Sequence, residues 1–450
     1  MAKPSLTPGP RGVPLLGSLP ELRRDPLGLL QGAMRDHGDI ACIRMGPRNA
    51  YFLSHPDDIQ RVLQMNHRNY GKATKGIDKL REILGNGLFT SDGSFWLKQR
   101  RLMQPAFERQ RIAGFAATMA HWTGETLDRW ERDRLGTPFD IHAQMMAVTL
   151  QIVAETMFGA DMRDEAQRVG AAIDTALRVW NRRFSRAFNL PQSWPLPENV
   201  EFRKAVAVLD TVVQKMIEAR RHDQTNHSDL LAILVALTDL DTGERMSDSQ
   251  LRDEVLTIFG AGHETTAGVL SFALYLLATH PDVQERVREE VRRACGSRTP
   301  GAEDVKALEF TTMALRESMR LYPTAWIFGR NMIEADTLGG REFPGGTWVI
   351  MSAFVTHRRP DFWDAPEEYR PERMAPEAYD KLHRFAYFPF GGGPRQCIGL
   401  PMAMLEMQLI TAMLVQRFRL EVAPGETLRL DPLLTLRPRG GLRMVVRPLQ

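Results

Sequence analysis

The segment FPFGGGPRQCIG, Phe388 to Gly399, runs into the apolar helical pattern LPMAMLEMQLITAMLVQRF, Leu400 to Phe418, and no other stretch restricts the chain so strongly. Gly391 to Gly393 let the backbone turn tightly or approach a bulky group, and Gly399 allows the same just beyond the sulfur of Cys397. A thiolate ahead of a helix N-terminus is favoured by the helix dipole and by free N–H groups, which lower its pKa and can hydrogen-bond the sulfur. The loop therefore suits a persistent anion at Cys397. Cys42 and Cys295 lie far away in sequence, and with no C-x-x-C pair the three cysteines form neither a disulfide framework nor a four-cysteine metal site. A nucleophilic Cys397 would need a histidine base that no pattern nominates, His383 being unspecific. From this loop alone, a buried structural cysteine stays open.

Sparse cysteines fit a reducing compartment. The first twenty residues, MAKPSLTPGPRGVPLLGSLP, carry Pro and Gly where a signal peptide needs an unbroken apolar core. The longest apolar run, Ala267 to Ala278, falls short of the roughly 18 residues of a membrane span. A soluble, cytoplasmic, monomeric protein is expected. With 43% apolar and 25% charged residues and a net charge of +3, the chain gives no reason to expect nucleic acid, although a basic patch could serve an acidic protein partner.

Helical spacing marks Ser94 to Gln110, Ile141 to Phe158, Glu201 to His222, Ser249 to His280 and Asp282 to Cys295. ACIRMG, AYFLSH, TWVIMSAF and LRMVVRP read as strands. No linker divides the chain, so residues 1–450 are expected to form one interwoven domain with a Pro/Gly-rich leading segment near 1–20.

Three more motifs carry chemistry. ESMR sets Glu317 and Arg320 on one helical face, where a buried ion pair would need further hydrogen bonds to offset desolvation, and PERM supplies Arg373 to join it. AGHETT interrupts an apolar helix with Glu264, Thr265 and Thr266.

Taken together these residues resemble a cytochrome P450. FPFGGGPRQCIG is similar to that family's haem-ligand loop, ESMR to its E-x-x-R pair, AGHETT to its oxygen-activating helix segment and WLKQR, Trp96 to Arg100, to its W-x-x-x-R element. The four stand in the family's order along essentially the whole chain. The resemblance implies a mainly α, triangular fold with smaller β-sheets, binding haem b with Cys397 as the iron ligand. It places Phe390 beside the sulfur and Trp96, Arg100, Arg330 and Arg395 at the haem propionates. It gives Thr265 the task of hydrogen-bonding reduced dioxygen and water, and Glu264 that of relaying protons, while Thr266 is a packing residue and His263 has no assigned role. The implied reaction is insertion of one oxygen atom of dioxygen into a hydrophobic substrate by hydroxylation or epoxidation. The alternatives are a peroxide-driven peroxygenase and a non-catalytic haem carrier or sensor.

The tail after Cys397 holds no flavin or ferredoxin domain, so electrons, ultimately from NAD(P)H, are expected through a separate ferredoxin- or flavodoxin-type donor and its reductase. Lys98, Arg101, Lys381 and Arg384 are candidates for the donor's docking face. Ile77 to Gly93, Val179 to Pro197, residues 324–328 and Leu433 to Leu436 are expected near the substrate, which could be a fatty acid, terpenoid, steroid or macrocycle. Arg182, Arg183 and Arg186 either meet a carboxylate at the entrance or form a solvated helix face.

Replacing Cys397 gives the direct check on the loop. The reduced, carbon monoxide-bound protein is expected to show the thiolate-ligated haem spectrum, and Cys397→Ala to lose it. A variant that kept that spectrum would remove Cys397 as the ligand.

Overall fold

The computed structural model describes residues 7–449 apart from 73, 160–162, 185–190, 192, 223–228, 238–242 and 244. Its axis is the central helix Asp248–Thr279, 32 residues and so about 48 Å long. Ser247 starts it with a reciprocal capping box: its hydroxyl accepts from the Gln250 N–H at 3.2 Å, and the Gln250 carbonyl oxygen accepts from the Ser247 N–H at 2.9 Å. Beyond that cap most of the helix is buried, because its apolar residues run all the way round rather than along one stripe. Helices Ile141–Phe158, Pro197–His222, Glu309–Leu321 and Leu400–Arg417 pack directly against it.

A five-stranded sheet flanks these helices in the order Ile40–Met45, Arg48–Leu53, Trp348–Met351, Phe328–Met332, Tyr70–Gly71. All its pairs are antiparallel except one: Ala50 to Leu53 run parallel to Trp348 to Met351. A three-stranded sheet sets Arg443–Pro448 between Phe139–Asp140 and Phe418–Val422. The architecture is mainly helical with smaller sheets, as expected.

Several boundaries differ from the sequence reading for local reasons. The helix expected from Ser94 to Gln110 is Gly93–Met103, a 3-10 turn Gln104–Phe107 and a separate helix Arg109–Gly114. Pro105, which cannot donate to an α-helical ladder, divides them. TWVIMSAF is a strand only over Trp348–Met351, after which Ser352 caps the short helix Ala353–Thr356. Phe418 opens a strand instead of closing the preceding helix.

The Glu317 and Arg320 side chains have no exposed surface. Arg320 forks onto Glu317 with two bonds of 2.8 Å and spends its remaining donors on the carbonyls of His357, Pro366 and Glu368 at 2.7–3.0 Å. Glu317 also accepts from the Arg370 N–H at 3.1 Å, and Arg373 Nε stands 3.4 Å from it. Desolvation is thus offset by saturating both ions. Glu372 does not join them; it pairs with Arg286 at the surface.

Because removing one ion strands the other, Glu317→Ala and Arg320→Ala are each expected to destabilise the fold by about 3–5 kcal/mol. The check is thermal unfolding together with haem content, and an unchanged melting temperature would contradict the network.

Candidate functional site

A cavity of about 1900 Å³ lies between the central helix, the Leu400–Arg417 helix and the large sheet, and all eight residues assigned to the site by sequence line it. The loop holding Cys397 is pinned by its glycines. Gly391 and Gly393 sit at φ +68° and +66°, and a Cβ on Gly393 would stand 1.9 Å from the Leu63 carbonyl oxygen. The Cys397 N–H donates to Phe390 O at 3.0 Å, closing the loop under the cavity.

Cys397 is surrounded by protein yet exposes surface, and that surface faces the cavity. Burial pushes its thiol pKa up, while hydrogen bonds from the Gly399 and Leu400 amides and the nearby Arg100 guanidinium pull it down. The helix-end effect expected from the sequence is present, but desolvation outweighs it.

Lys72, Arg100, Arg330 and Arg395 are among the cations that line the cavity. Arg395 is held by Asp92 and by Ser91 O at 3.1 Å, with its guanidinium 4.1 Å over the ring of Trp96. Asp92 also caps the Gly93–Met103 helix and accepts from the Lys72 N–H. Arg330, on the sheet, is buried and bonds Gly329 O at 2.8 Å. Burial and then the field of Arg395 bring its pKa down to about 10. Burial, then Arg330 and Arg395, push Lys72 well below the ordinary lysine value. Burial lowers Arg100 as well. Lys72 escaped the sequence reading, since nothing near Tyr70–Gly71 marks it; the adjacent strand brings it beside Arg330.

On the central helix, Thr265 Oγ1 donates to Ala261 O at 2.7 Å and Thr266 Oγ1 to Gly262 O at 3.0 Å. Glu264 is buried and accepts from Thr435 Oγ1 at 2.7 Å, a partner that sequence did not indicate. His263 is also buried; its Nδ1 lies 2.8 Å from Phe259 O, and it does not line the cavity. Glu406 lines the cavity too, with one carboxyl oxygen lacking a partner among the described residues, and burial pushes its pKa well up.

Much of the remaining wall is apolar, with Ile77, Leu80, Leu177, Trp180, Leu256 and Leu433 among its side chains. Arg183 is not the open carboxylate receptor considered from sequence. It is buried, 3.2 Å from Glu82 and 2.7 Å from Asn199, and stacks on Phe202. Arg182 is exposed and lines the cavity, and Arg186 lies outside the described residues. Arg101, Lys381 and Arg384 are exposed and Lys98 is half-buried.

The Cys397 sulfur, the cations Lys72, Arg100, Arg330 and Arg395 and a largely apolar surround fit an apolar cofactor bearing carboxylates and a thiophilic metal. No group of three or more His, Cys, Asp or Glu side chains that could hold a metal ion is found among the described residues. No described helix is long and apolar enough to cross a membrane.

The sequence pattern of the family described as Cytochrome P450 matches residues 7–442. "Cyclooctatin synthase" of Streptomyces melanosporofaciens is 36% identical over 444 residues, covering 98% of this chain and 95% of that protein. "Cyclooctat-9-en-7-ol 5-monooxygenase" of the same organism is 37% identical over 427 residues, covering 93% and 90%. "Pentalenene oxygenase" of Streptomyces avermitilis is 34% identical over 431 residues, covering 95% and 94%.

If the cation cluster holds carboxylates, Arg330→Met and Lys72→Met should each speed haem loss to an acceptor protein by on the order of ten- to a hundredfold, the worth of one charge-assisted hydrogen bond. Unaltered loss rates in both would remove these residues from haem retention.

Proposed function

The chain belongs to the cytochrome P450 family and has its monooxygenase chemistry; on that footing we propose that it inserts one oxygen atom of dioxygen into a cyclic, mainly hydrocarbon substrate of the terpenoid kind. The observation that carries this reading is the single cavity whose wall holds Cys397 and the cation cluster, Glu264 and Thr265, and a broad apolar surface. The apolar part of this wall rewards burial of hydrocarbon in proportion to area. The printed names of the relatives, with their ring and -ene stems, point to substrates of the same character.

Haem b, when bound, would supply the electron-transfer and oxygen chemistry, and the Cys397 thiolate would hold it. Trp96, Arg100, Arg330, Arg395 and Lys72 would hold its carboxylates, and Phe390 would keep water from the sulfur. Thr265 keeps a hydroxyl at the cavity wall, where it can turn from Ala261 O to a ligand oxygen and pass on a proton. Glu264, anchored by Thr435, is the proton source next to it on the helix. Electrons come from NAD(P)H through a separate ferredoxin- or flavodoxin-type donor.

Product, reductant and peroxide stoichiometry tests these roles. With a terpenoid hydrocarbon and a ferredoxin supply, Thr265→Ala is expected to keep haem and consume reductant while making several-fold less product per electron pair and releasing more peroxide. Glu264→Gln is expected to slow turnover by about tenfold or more while preserving substrate binding. Unchanged coupling in both, or product from added peroxide at a rate equal to the dioxygen route, would refute the assignment.

A further inference from the structure

The central helix carries one buried hydroxyl that its own backbone does not use. Beyond the first turn Thr265, Thr266, Ser271 and Thr279 each donate to the carbonyl oxygen four residues back, at 2.6–3.0 Å. A hydroxyl bonded in that way has satisfied its donor locally. Thr257 departs from the pattern: it is 5% exposed, and its Oγ1 has no hydrogen-bond partner among the described residues. Gly87 sits against it, and a Cβ there would stand 2.3 Å from Thr257 Oγ1 and 2.6 Å from the Asp253 carbonyl oxygen. Glycine at this position therefore leaves the space in which the hydroxyl stands.

Thr257 lines the same cavity as Cys397 and Thr265. It stands eight residues before Thr265, which is about 12 Å along the helix axis. The wall beside it is hydrocarbon. Leu84 reaches the helix at Gly260, and Leu88 is held there by its N–H, which donates to the buried Glu254 carboxyl at 2.9 Å. A buried hydroxyl without a partner costs free energy, and folded proteins keep few of them. Set in an apolar stretch of a binding cavity, this one is a group kept for a ligand.

We propose that Thr257 is a specificity-determining residue that takes, by a hydrogen bond, a hydroxyl already present on the substrate. The inference rests on the terpenoid reading above and narrows it. The substrate is a cyclic hydrocarbon carrying one hydroxyl, bound with that oxygen at Thr257 and the carbon to be oxidised near Thr265, on the order of 12 Å further along the helix. A threonine hydroxyl both donates and accepts, so it can meet another hydroxyl in either sense. Such a site discriminates by loss, because an analogue without the oxygen leaves the protein's hydroxyl unpaired. It also decides which end of a rigid skeleton faces the reacting centre, since turning the skeleton round would strip the substrate oxygen of its partner. The hydroxyl must then be installed before this enzyme acts, by water capture of a carbocation during ring closure or by an earlier oxygenation.

Matched pairs of rigid ligands test this on the ferric, haem-loaded full chain with no electrons supplied: cedrane with cedrol, and ent-kaurene with ent-kaurenol. Binding is read from the change in haem spin state. For at least one pair, Thr257→Val is expected to weaken the alcohol relative to its hydrocarbon by about three- to tenfold, the worth of one hydrogen bond, and Thr257→Ser to restore the ratio. Valine keeps the shape of threonine, so a merely structural effect would move both members of a pair alike. An unchanged ratio in Thr257→Val for both pairs would overturn the proposal. So would tighter binding of alcohol and hydrocarbon alike, which would assign the hydroxyl to a bound water. Hydrocarbon binding without discrimination removes only this subsite and leaves the terpenoid reading standing, whereas failure of all four ligands to bind would remove both. In turnover of a bound alcohol, the unmodified protein is expected to oxidise the end of the skeleton remote from the hydroxyl, and Thr257→Val to spread oxidation over several carbons.

Discussion

Placing Lys72, Arg100, Arg330 and Arg395 around one cavity takes four cations out of water, with Asp92 the carboxylate in contact with Arg395. Burial lowers the proton affinity of all four, and for Lys72 and Arg330 the neighbouring cations lower it further. Each cation comes from a different part of the chain: the residue after the short edge strand Tyr70–Gly71, the Gly93–Met103 helix, the large sheet and the cysteine loop. A ligand with two carboxylates would relieve repulsion among elements that otherwise push apart. Folding of this half of the molecule and retention of the cofactor are in that sense one equilibrium.

The Glu317–Arg320 pair meets the opposite condition, since its charges balance and every donor of the guanidinium has an acceptor nearby. It fastens the irregular segment 357–370 to the Glu309–Leu321 helix. From there the tie continues to the cysteine loop, because the buried His357 takes the Phe388 N–H at 2.9 Å and Tyr387 donates to Arg316 O at 2.9 Å. A network with no side chain in the cavity thus holds the backbone that presents Cys397.

What could be read in advance follows from how locally each feature is encoded. The cysteine loop, the E-x-x-R pair and AGHETT are contiguous, and their chemistry demands particular residue types at fixed spacing, so they were legible. Ile141–Phe158, expected from its long apolar-rich run, agrees to the residue, and its N-cap Asp140 and Gly159, at φ +61°, bound it on both sides. The Ala116–Asp133 helix was passed over although Met119, Trp122, Thr123, Thr126, Leu127 and Trp130 repeat at helical spacing on its buried face. Lys72 and Thr435 gain their roles only when distant segments meet, and no local pattern marks such residues. Arg183 misleads for the converse reason: a run of arginines looks solvated until Glu82, Asn199 and Phe202 close round one of them.

The strand order of the large sheet has a kinetic consequence. Arg48–Leu53 finds its parallel partner at Trp348–Met351, and Phe139–Asp140 pairs with Arg443–Pro448, so both sheets close only across hundreds of intervening residues. Contacts of such long range are slow to form, whereas the helices between them can assemble early from local signals. A chain emerging from the ribosome would carry its bundle of helices for some time with unpaired strand edges exposed. Until those edges meet, Arg330 and Cys397 cannot face one another across a closed pocket, so cofactor capture is timed to the end of synthesis and becomes the step at which a nascent chain is either committed or lost to aggregation.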